Sequence, residues 1–453
     1  MDETGESEPE RQPGHDEEHV QEFGGRLGVL GILVASHLLP FTMWLAWRFH
    51  DGAAPHPDGL GDLVPWIGRM AGLIADHATP TASSVGVYLG FLALQALLAA
   101  TLPGIRIQGL PIPSEGGRQL TYLCNGIWAW YATLAGVAAL HLTGTFRLEW
   151  VAEHFGELLT TAMIVADLVA VAVYVGAFLA RTTHRMSGDH LVDFFMGAWL
   201  NPRIGPLDLK MWAEIRVSWM LLFLLTASAA AWQVAQHGAL STPMIFMLVA
   251  HGLYANACMK GEECIPTTWD IFYEKWGWML VYWNLAGVPF VYCFSSFWIA
   301  SRPPFEHGVP YTILCFVLLF CAYYVWDTAQ SQRNRFRMRE RGTYVKRLAF
   351  PQLPWGTLTN PRVITTKAGS KLLIDGWWAY ARKIHYTADI VMALTWGLIT
   401  GFTHVLPYLY AAFFLVMITH RATRDIARCR RKYGDDWDRY TKEVPWLLVP
   451  YVF

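Results

Sequence analysis

The stretch Ser83-Ser-Val-Gly-Val-Tyr-Leu-Gly-Phe-Leu-Ala-Leu-Gln-Ala-Leu-Leu-Ala-Ala-Thr-Leu-Pro103 contains no Asp, Glu, Lys or Arg. As a helix it is long enough to cross a hydrocarbon core, which takes about 20 apolar residues. Similar runs recur along the 453-residue chain, and they centre on 27–49, 83–103, 120–144, 157–180, 214–236, 241–258, 277–300, 309–327, 384–402 and 404–420. Composition agrees: 54% of residues are hydrophobic and only 16% are charged, which excludes an ordinary soluble globule. The expected fold is therefore an all-α, polytopic membrane protein with about ten transmembrane helices.

Lys and Arg accumulate on the cytoplasmic side of such proteins. With ten spans, Arg48, Arg69, Arg147 and Arg302 fall on one side and the other 31 of the 35 basic residues on the opposite side, with both termini. Both ends are thus expected to be cytosolic. Residues 1–26 carry the acidic run Asp16-Glu17-Glu18 and read as a disordered tail without a secretory signal; residues 27–453 form the membrane domain. No basic domain stands apart from the apolar runs, so no nucleic-acid partner is expected. The seven cysteines lack a C-x-x-C pair, which predicts neither a disulfide framework nor a zinc site. His37, His141, His251 and His404 lie in or beside apolar runs without ligand spacing, and are read as core histidines with no metal.

Ionisable residues at membrane level are expensive, so where they cluster they mark candidate sites. The first cluster runs from Gly188 to Arg216 and includes Asp189, Asp193, Asp208, Lys210 and Glu214; it reads either as part of a site or as an anchored surface loop. The second begins at Tyr254 and continues through Glu263 and Asp270 to Lys275. Tyr254 is either an acid presented inside the bundle or a belt tyrosine at the interface. In the third, Arg333 and Arg337 share a helical face at i, i+4 and suit either a phosphate or anionic lipid headgroups. The fourth alternates aromatic and charged residues, from Trp377-Trp378 through Lys383 and Asp389 to Arg421, Asp425, Lys432 and Tyr433. Such a tract suits a dinucleotide lying across helix ends, although neither G-x-G-x-x-G nor a P-loop is present.

At these clusters the chain resembles the membrane-bound sterol reductase family, which includes C-14, C-7 and C-24(28) reductases. The resemblance runs from about Gly188 to Phe453. It is carried by Phe194-Phe-Met-Gly197, Leu200-Asn-Pro-Arg-Ile-Gly205, the Gln332-to-Arg337 stretch, and Arg421-x-x-Arg-Asp425 with Arg428-Cys429 and Lys432-Tyr-Gly434. Lys260-Gly-Glu-Glu-Cys264 and Trp283-Asn-Leu-Ala-Gly-Val-Pro-Phe290 most resemble the C-24(28) branch. The resemblance implies NADPH-dependent reduction of a sterol side-chain double bond in the endoplasmic reticulum membrane. It implies Arg333, Arg337, Trp378, Arg421, Asp425, Lys432 and Tyr433 as cofactor contacts within a cofactor-binding part at about 328–453. Tyr254, with Asp425 near it, is the implied proton relay; Glu263, Asp270 and Trp283 are implied to line the sterol pocket. Arg333 stands where relatives often have Lys, and Lys383-Ile-His-Tyr386 departs from the Arg-His-Pro-Asn-Tyr form of the C-14 and C-7 branches. Reduction at C-14 or C-7, a non-catalytic sterol-binding scaffold and a methyltransferase are the alternatives. The sequence leaves oligomeric state open.

Overall fold

The computed structural model describes residues 22–347, 350–367 and 369–452. Residues 1–21, and with them most of the expected acidic tail, lie outside the described residues. The protein is mostly helical. The longer helices are α1 (Gly25–Phe49), α2 (Leu63–His77), α3 (Ala82–Thr101), α4 (Gly126–Leu142), α5 (Phe155–Leu179), α6 (Leu209–His237), α7 (Thr242–Lys260), α8 (Trp278–Ala300), α9 (Val309–Glu340), α10 (Ile384–Leu398), α11 (Leu409–Tyr433) and α12 (Asp435–Glu443). Among these, α1, α3, α5, α6, α7, α8 and α9 are long and apolar enough to cross a membrane. Each of the ten apolar runs contains a helix, but α4 is shortened to 17 residues and α10 to 15.

The expectation of a purely helical chain needs amending at three places. Six short strands form antiparallel hairpins: β1 (Ile105–Gln108) with β2 (Thr121–Cys124), β3 (Arg203–Ile204) with β4 (Leu207–Asp208), and β5 (Val363–Thr365) with β6 (Lys371–Leu373). The first hairpin takes the start of the run 120–144, because Thr121–Cys124 pairs with Ile105–Gln108. Burial separates two kinds of helix. Leu89, Leu94 and Leu97 on α3 and Leu168 and Val171 on α5 stay exposed, as lipid-facing side chains do, whereas α8 is almost wholly enclosed.

Local signals set the boundaries. α3 opens on a capping box in which Thr81 and Ser84 satisfy each other's backbone N–H groups. Ser241 caps α7, and Gly238, at a φ of 74°, ends α6. Two interruptions lie within α6 and α8: the turns Trp212–Val217 and Trp283–Gly287 are π-helical and pack against each other. Such turns insert an extra residue and re-aim the side chains beside them.

Two tight locks join distant segments. The Arg216 guanidinium, 3% exposed, pairs with Glu262 at 2.7 Å and donates to Asn125 Oδ1 at 2.5 Å. Glu262 also accepts from Gly126 N at 2.7 Å, and Asn125 Nδ2 donates to Leu102 O at 2.6 Å. Four elements therefore share one compensated charge. In the second lock the Phe194-Phe-Met-Gly197 motif crosses the Trp276-Gly277 backbone so closely that a Cβ on Gly277 would sit 2.1 Å from Gly197 N. Both glycines are needed for close approach rather than for a turn, although Gly197 also has φ of 98°. His37 has a partner the sequence did not announce: Asp167 lies 3.1 Å away across α1 and α5 and also accepts from Trp278 Nε1 at 2.7 Å.

Gly277→Ala is expected to destabilise the protein by at least about 2 kcal/mol, because backbone must move to admit the methyl group. Gly116→Ala, at a positive φ with nothing within 4 Å of the new Cβ, should cost only about 1 kcal/mol. Thermal unfolding in detergent checks the order of the two.

Candidate active site

Tyr254 sits on α7, 6% exposed, enclosed by three indoles. Ring centroids lie 4.7 Å away at Trp219, 5.0 Å at Trp326 and 5.8 Å at Trp396. Behind Trp396, Tyr410 stacks at 4.8 Å and Tyr292 follows at 4.2 Å. These rings converge because the inward faces of α6, α7, α8, α9, α10 and α11 each contribute one. The Asp389 carboxyl on α10 lies within hydrogen-bonding reach of the Tyr254 hydroxyl and the Trp326 indole. The Tyr254 hydroxyl and the Asp389 carboxyl thus stand together among aromatic rings.

One turn before Asp389, the start of α10 lines a different space. His385 and Asp389 are four residues apart and so share a helical face, separated by about 6 Å along the axis. His385 lies under the electrostatic influence of Arg333, Lys383 and Arg421, and its Nδ1 is buried without a partner among the described residues. Arg333 stacks over Trp378 at 4.7 Å, and Trp378 Nε1 is fixed on Ala329 O at 3.0 Å. Arg337, one turn on, is exposed and has no ion-pair partner among the described residues. Asp425 receives both Lys383 and Arg428. Arg428 also lies over the Trp269 ring at 3.9 Å. Residues 446–448 strap this end of α10 in place: Arg382 N donates to Trp446 O, Lys383 N to Leu447 O, and Thr387 Oγ1 to Leu448 O at 2.6 Å.

The one carboxylate among Arg333, Arg337, Lys383 and Arg428, Asp425, is engaged by Lys383 and Arg428. Burial pushes the Asp425 carboxyl up, but Lys383 and Arg428 outweigh it and hold the group below its ordinary value. Burial also lowers the Lys383 ammonium, an effect that Asp425 only partly offsets. Burial raises the nearby Tyr440 phenol to about 12. At neutral pH the crevice therefore keeps more cations than anions, together with flat rings at Trp378, Tyr386 and Tyr440. Guanidinium groups and rings are the donor set that phosphates and planar bases require, so the residues fit a dinucleotide.

Not every expected site residue comes to this place. Arg333, Arg337, Trp378, Arg421 and Asp425 converge on the crevice, with Tyr254 one helical turn deeper through Asp389. The carboxyl that reaches Tyr254 is Asp389, while Asp425 is engaged by Lys383 and Arg428. Lys432 is exposed at the far end of α11, over the Tyr433 ring at 5.1 Å, and Tyr433 stacks at 6.5 Å on buried Trp437. Glu263 is held by Arg347 at 2.5 Å, Asp270 pairs with Arg421 at 2.7 Å, and Trp283 stacks on Phe413 at 5.6 Å. The sequence reading missed Asp389 as the partner of Tyr254 and missed Lys383 as the partner of Asp425. An ionisable Asp389 inside an apolar run was the signal for the first.

A helical membrane protein with clustered cations and rings one helical turn from a buried phenol and carboxyl is the class that these features define. Residues 17–453 match the Ergosterol biosynthesis ERG4/ERG24 family, and the chain belongs to it. It is 43% identical over 435 residues to the Delta(24(24(1)))-sterol reductase erg4A of Aspergillus fumigatus, covering 95% of this chain and 92% of that protein. It is 44% identical over 447 residues to the Delta(24(24(1)))-sterol reductase of Gibberella zeae, covering 98% of this chain and 75% of that one. Identity to the Delta(14)-sterol reductase of Dictyostelium discoideum is 31% over 438 residues, covering 95% and 92%.

The depressed Asp425 value has a signed consequence for stability. A lowered carboxylate contributes fully above its unfolded value of about 3.9, and the contribution disappears as pH falls through the lower folded value. The difference in thermal midpoint between wild type and Asp425→Asn should hold constant between about pH 7 and pH 5 and shrink below about pH 4.

Proposed function

We propose that this protein is an NADPH-dependent sterol reductase that saturates the C-24(28) double bond of a sterol side chain, giving an ergosterol-type product. Identity to the two C-24(28)-type relatives exceeds identity to the C-14 relative by 12 to 13 percentage points, and this difference carries the substrate reading. The acid pair at Tyr254 and Asp389, one helical turn from the cationic crevice, supports the chemistry. The protein works in the endoplasmic reticulum membrane, with both termini cytosolic.

Arg333 and Arg337 hold cofactor phosphate, and the ring of Trp378 fixes the Arg333 guanidinium for that task. Arg421 and the Lys383–Asp425–Arg428 set shape the crevice, and Lys432 and Tyr433 extend it outward. When bound, NADPH supplies a hydride. An unactivated alkene accepts hydride only after protonation, so the protein must first deliver a proton. Tyr254 gives its hydroxyl proton to the terminal methylene carbon C-28, and the positive charge develops on the more substituted C-24. Asp389 then returns a proton to the Tyr254 oxygen. Trp219, Trp326 and Trp396 exclude water and present ring faces to the cation. Glu263, Asp270 and Trp283 act from the margins of the sterol pocket, each already oriented by a protein partner.

Incubation of detergent-solubilised protein with NADPH and separate methylene, 14-ene and 7-ene sterols, followed by gas chromatography and mass spectrometry, tests the substrate. Loss of the methylene sterol alone is expected; reduction of a ring double bond would overturn the assignment. Tyr254→Phe should lower turnover about 10²- to 10⁴-fold with little change in NADPH affinity. Arg337→Ala should weaken NADPH binding about 10- to 100-fold, as removal of a charge-assisted hydrogen bond does. Equal losses of turnover and affinity in both variants would refute this division of labour.

A further inference from the structure

Every reduction of an alkene by hydride also consumes one proton from solvent, and Tyr254 is walled from solvent by indoles. A proton path into the chamber is therefore a requirement of the proposed reaction, and this inference rests on that reading. Asp389 is the first carrier outward from Tyr254. The next carrier must be ionisable, near Asp389, and not locked in an ion pair.

Glu214 shares the neighbour Cys258 with Asp389 and has no ion-pair partner among the described residues. It lies in the π-helical turn Trp212–Val217 of α6, whose extra residue re-aims the side chains beside it. Its Oε2 is buried and has no hydrogen-bond partner among the described residues. The nearest cation on its own helix, Lys210, is committed elsewhere, donating to Ile271 O at 2.9 Å and Glu274 O at 2.7 Å. Cys258 on α7 feels the charge of both carboxyls, Asp389 and Glu214. Glu214 also feels the charges of Asp270, Lys210, Arg421 and Asp208. The Arg421–Asp270 pair forms the outer rim, with side chains 49% and 24% exposed. The other carboxyls in this region are engaged: Glu262 with Arg216, Glu263 with Arg347 and Asp425 with Lys383.

We propose that Glu214 is the proton-uptake relay of the site, taking a proton from solvent at the Arg421–Asp270 rim and passing it beside Cys258 to Asp389. The steps balance over one turnover. The Tyr254 O–H bond breaks as the C-28–H bond forms, and C-24 takes the hydride that a bound nicotinamide cofactor would supply. The Asp389 proton then moves to the Tyr254 oxygen, the Glu214 proton to the Asp389 carboxylate, and a solvent proton to Glu214. Net consumption is one hydride and one proton. Glu214 touches neither substrate nor cofactor in this scheme, so it governs recharging of the acid and not the chemical step.

That distinction sets the test. In E214Q, NADPH binding followed by fluorescence should be unchanged, and the first turnover, run on the proton already stored at Tyr254 and Asp389, should match wild type. Later turnovers should slow about 10- to 100-fold, and proton uptake followed with a pH indicator should lag behind NADPH oxidation. E214D, which keeps the carboxyl but lengthens the gap, should show the same normal first turnover with a smaller steady-state loss. Equal slowing of first and later turnovers in both variants would mark a structural role and overturn the relay. Wild-type steady-state rates in E214Q would also overturn it. If the wild-type protein reduces no sterol, the reductase reading fails first and the relay with it; sterol reduction by wild type with either of the two preceding outcomes sinks the relay alone.

Discussion

The organisation of this protein depends on the cost of a charge that leaves water. An unpaired ion in an apolar interior costs several kcal/mol, so groups that stay charged enter the bundle as compensated sets. Arg216 is buried because Glu262 and Asn125 meet it, and that meeting ties α6 to the loop after α7 and to the junction of β2 and α4. Lys260 is buried because Asp327 lies 2.7 Å away, which joins α7 to α9. Lys383 and Asp425 do the same between α10 and α11. Each set uses one helix to satisfy another, so charges that hydropathy counts as liabilities become the fixed points of the fold.

The same rule separates structural from chemical groups. A carboxylate with two cationic neighbours is held ionised and is a poor proton carrier; Asp425 is such a group. A carboxyl whose neighbours are a phenol and an indole, like Asp389, keeps the capacity to exchange a proton with the phenol. The crevice and the chamber therefore divide the work although one helix builds both. The first turn of α10 meets cations and rings, and its second turn meets Tyr254. Their spacing is a property of the α-helix and needs no further device to maintain it.

How much of this was legible in the chain can be judged at particular residues. The apolar runs announced the helices, because lipid imposes a length and a composition on any segment that faces it. The i, i+4 spacing of Arg333 and Arg337 announced a shared face, and the alternation of rings and cations after Trp377 announced a crevice. Those signals are local. The hairpin at 105–124 was absorbed into an apolar run because its strands are only four residues each, too short for a period of two to show. The role of Gly197 could be recognised only as a motif; its physical reason, contact with Gly277 eighty residues later, is a distance.

Sequence alone therefore determined that this is a helical membrane protein, where most helices lie, and which stretches hold ionisable groups in apolar surroundings. Hydrophobicity and helical period are properties of neighbouring residues, and neighbours are what a sequence records. Tertiary structure decided which groups meet one another: Asp389 rather than Asp425 at Tyr254, Asp270 at Arg421, Asp167 at His37, and, among the described residues, no partner for one oxygen of Glu214. Pairing depends on the approach of side chains far apart along the chain, over distances of about 3 Å, and it is pairing that fixes whether an ionisable group supports the fold or moves a proton.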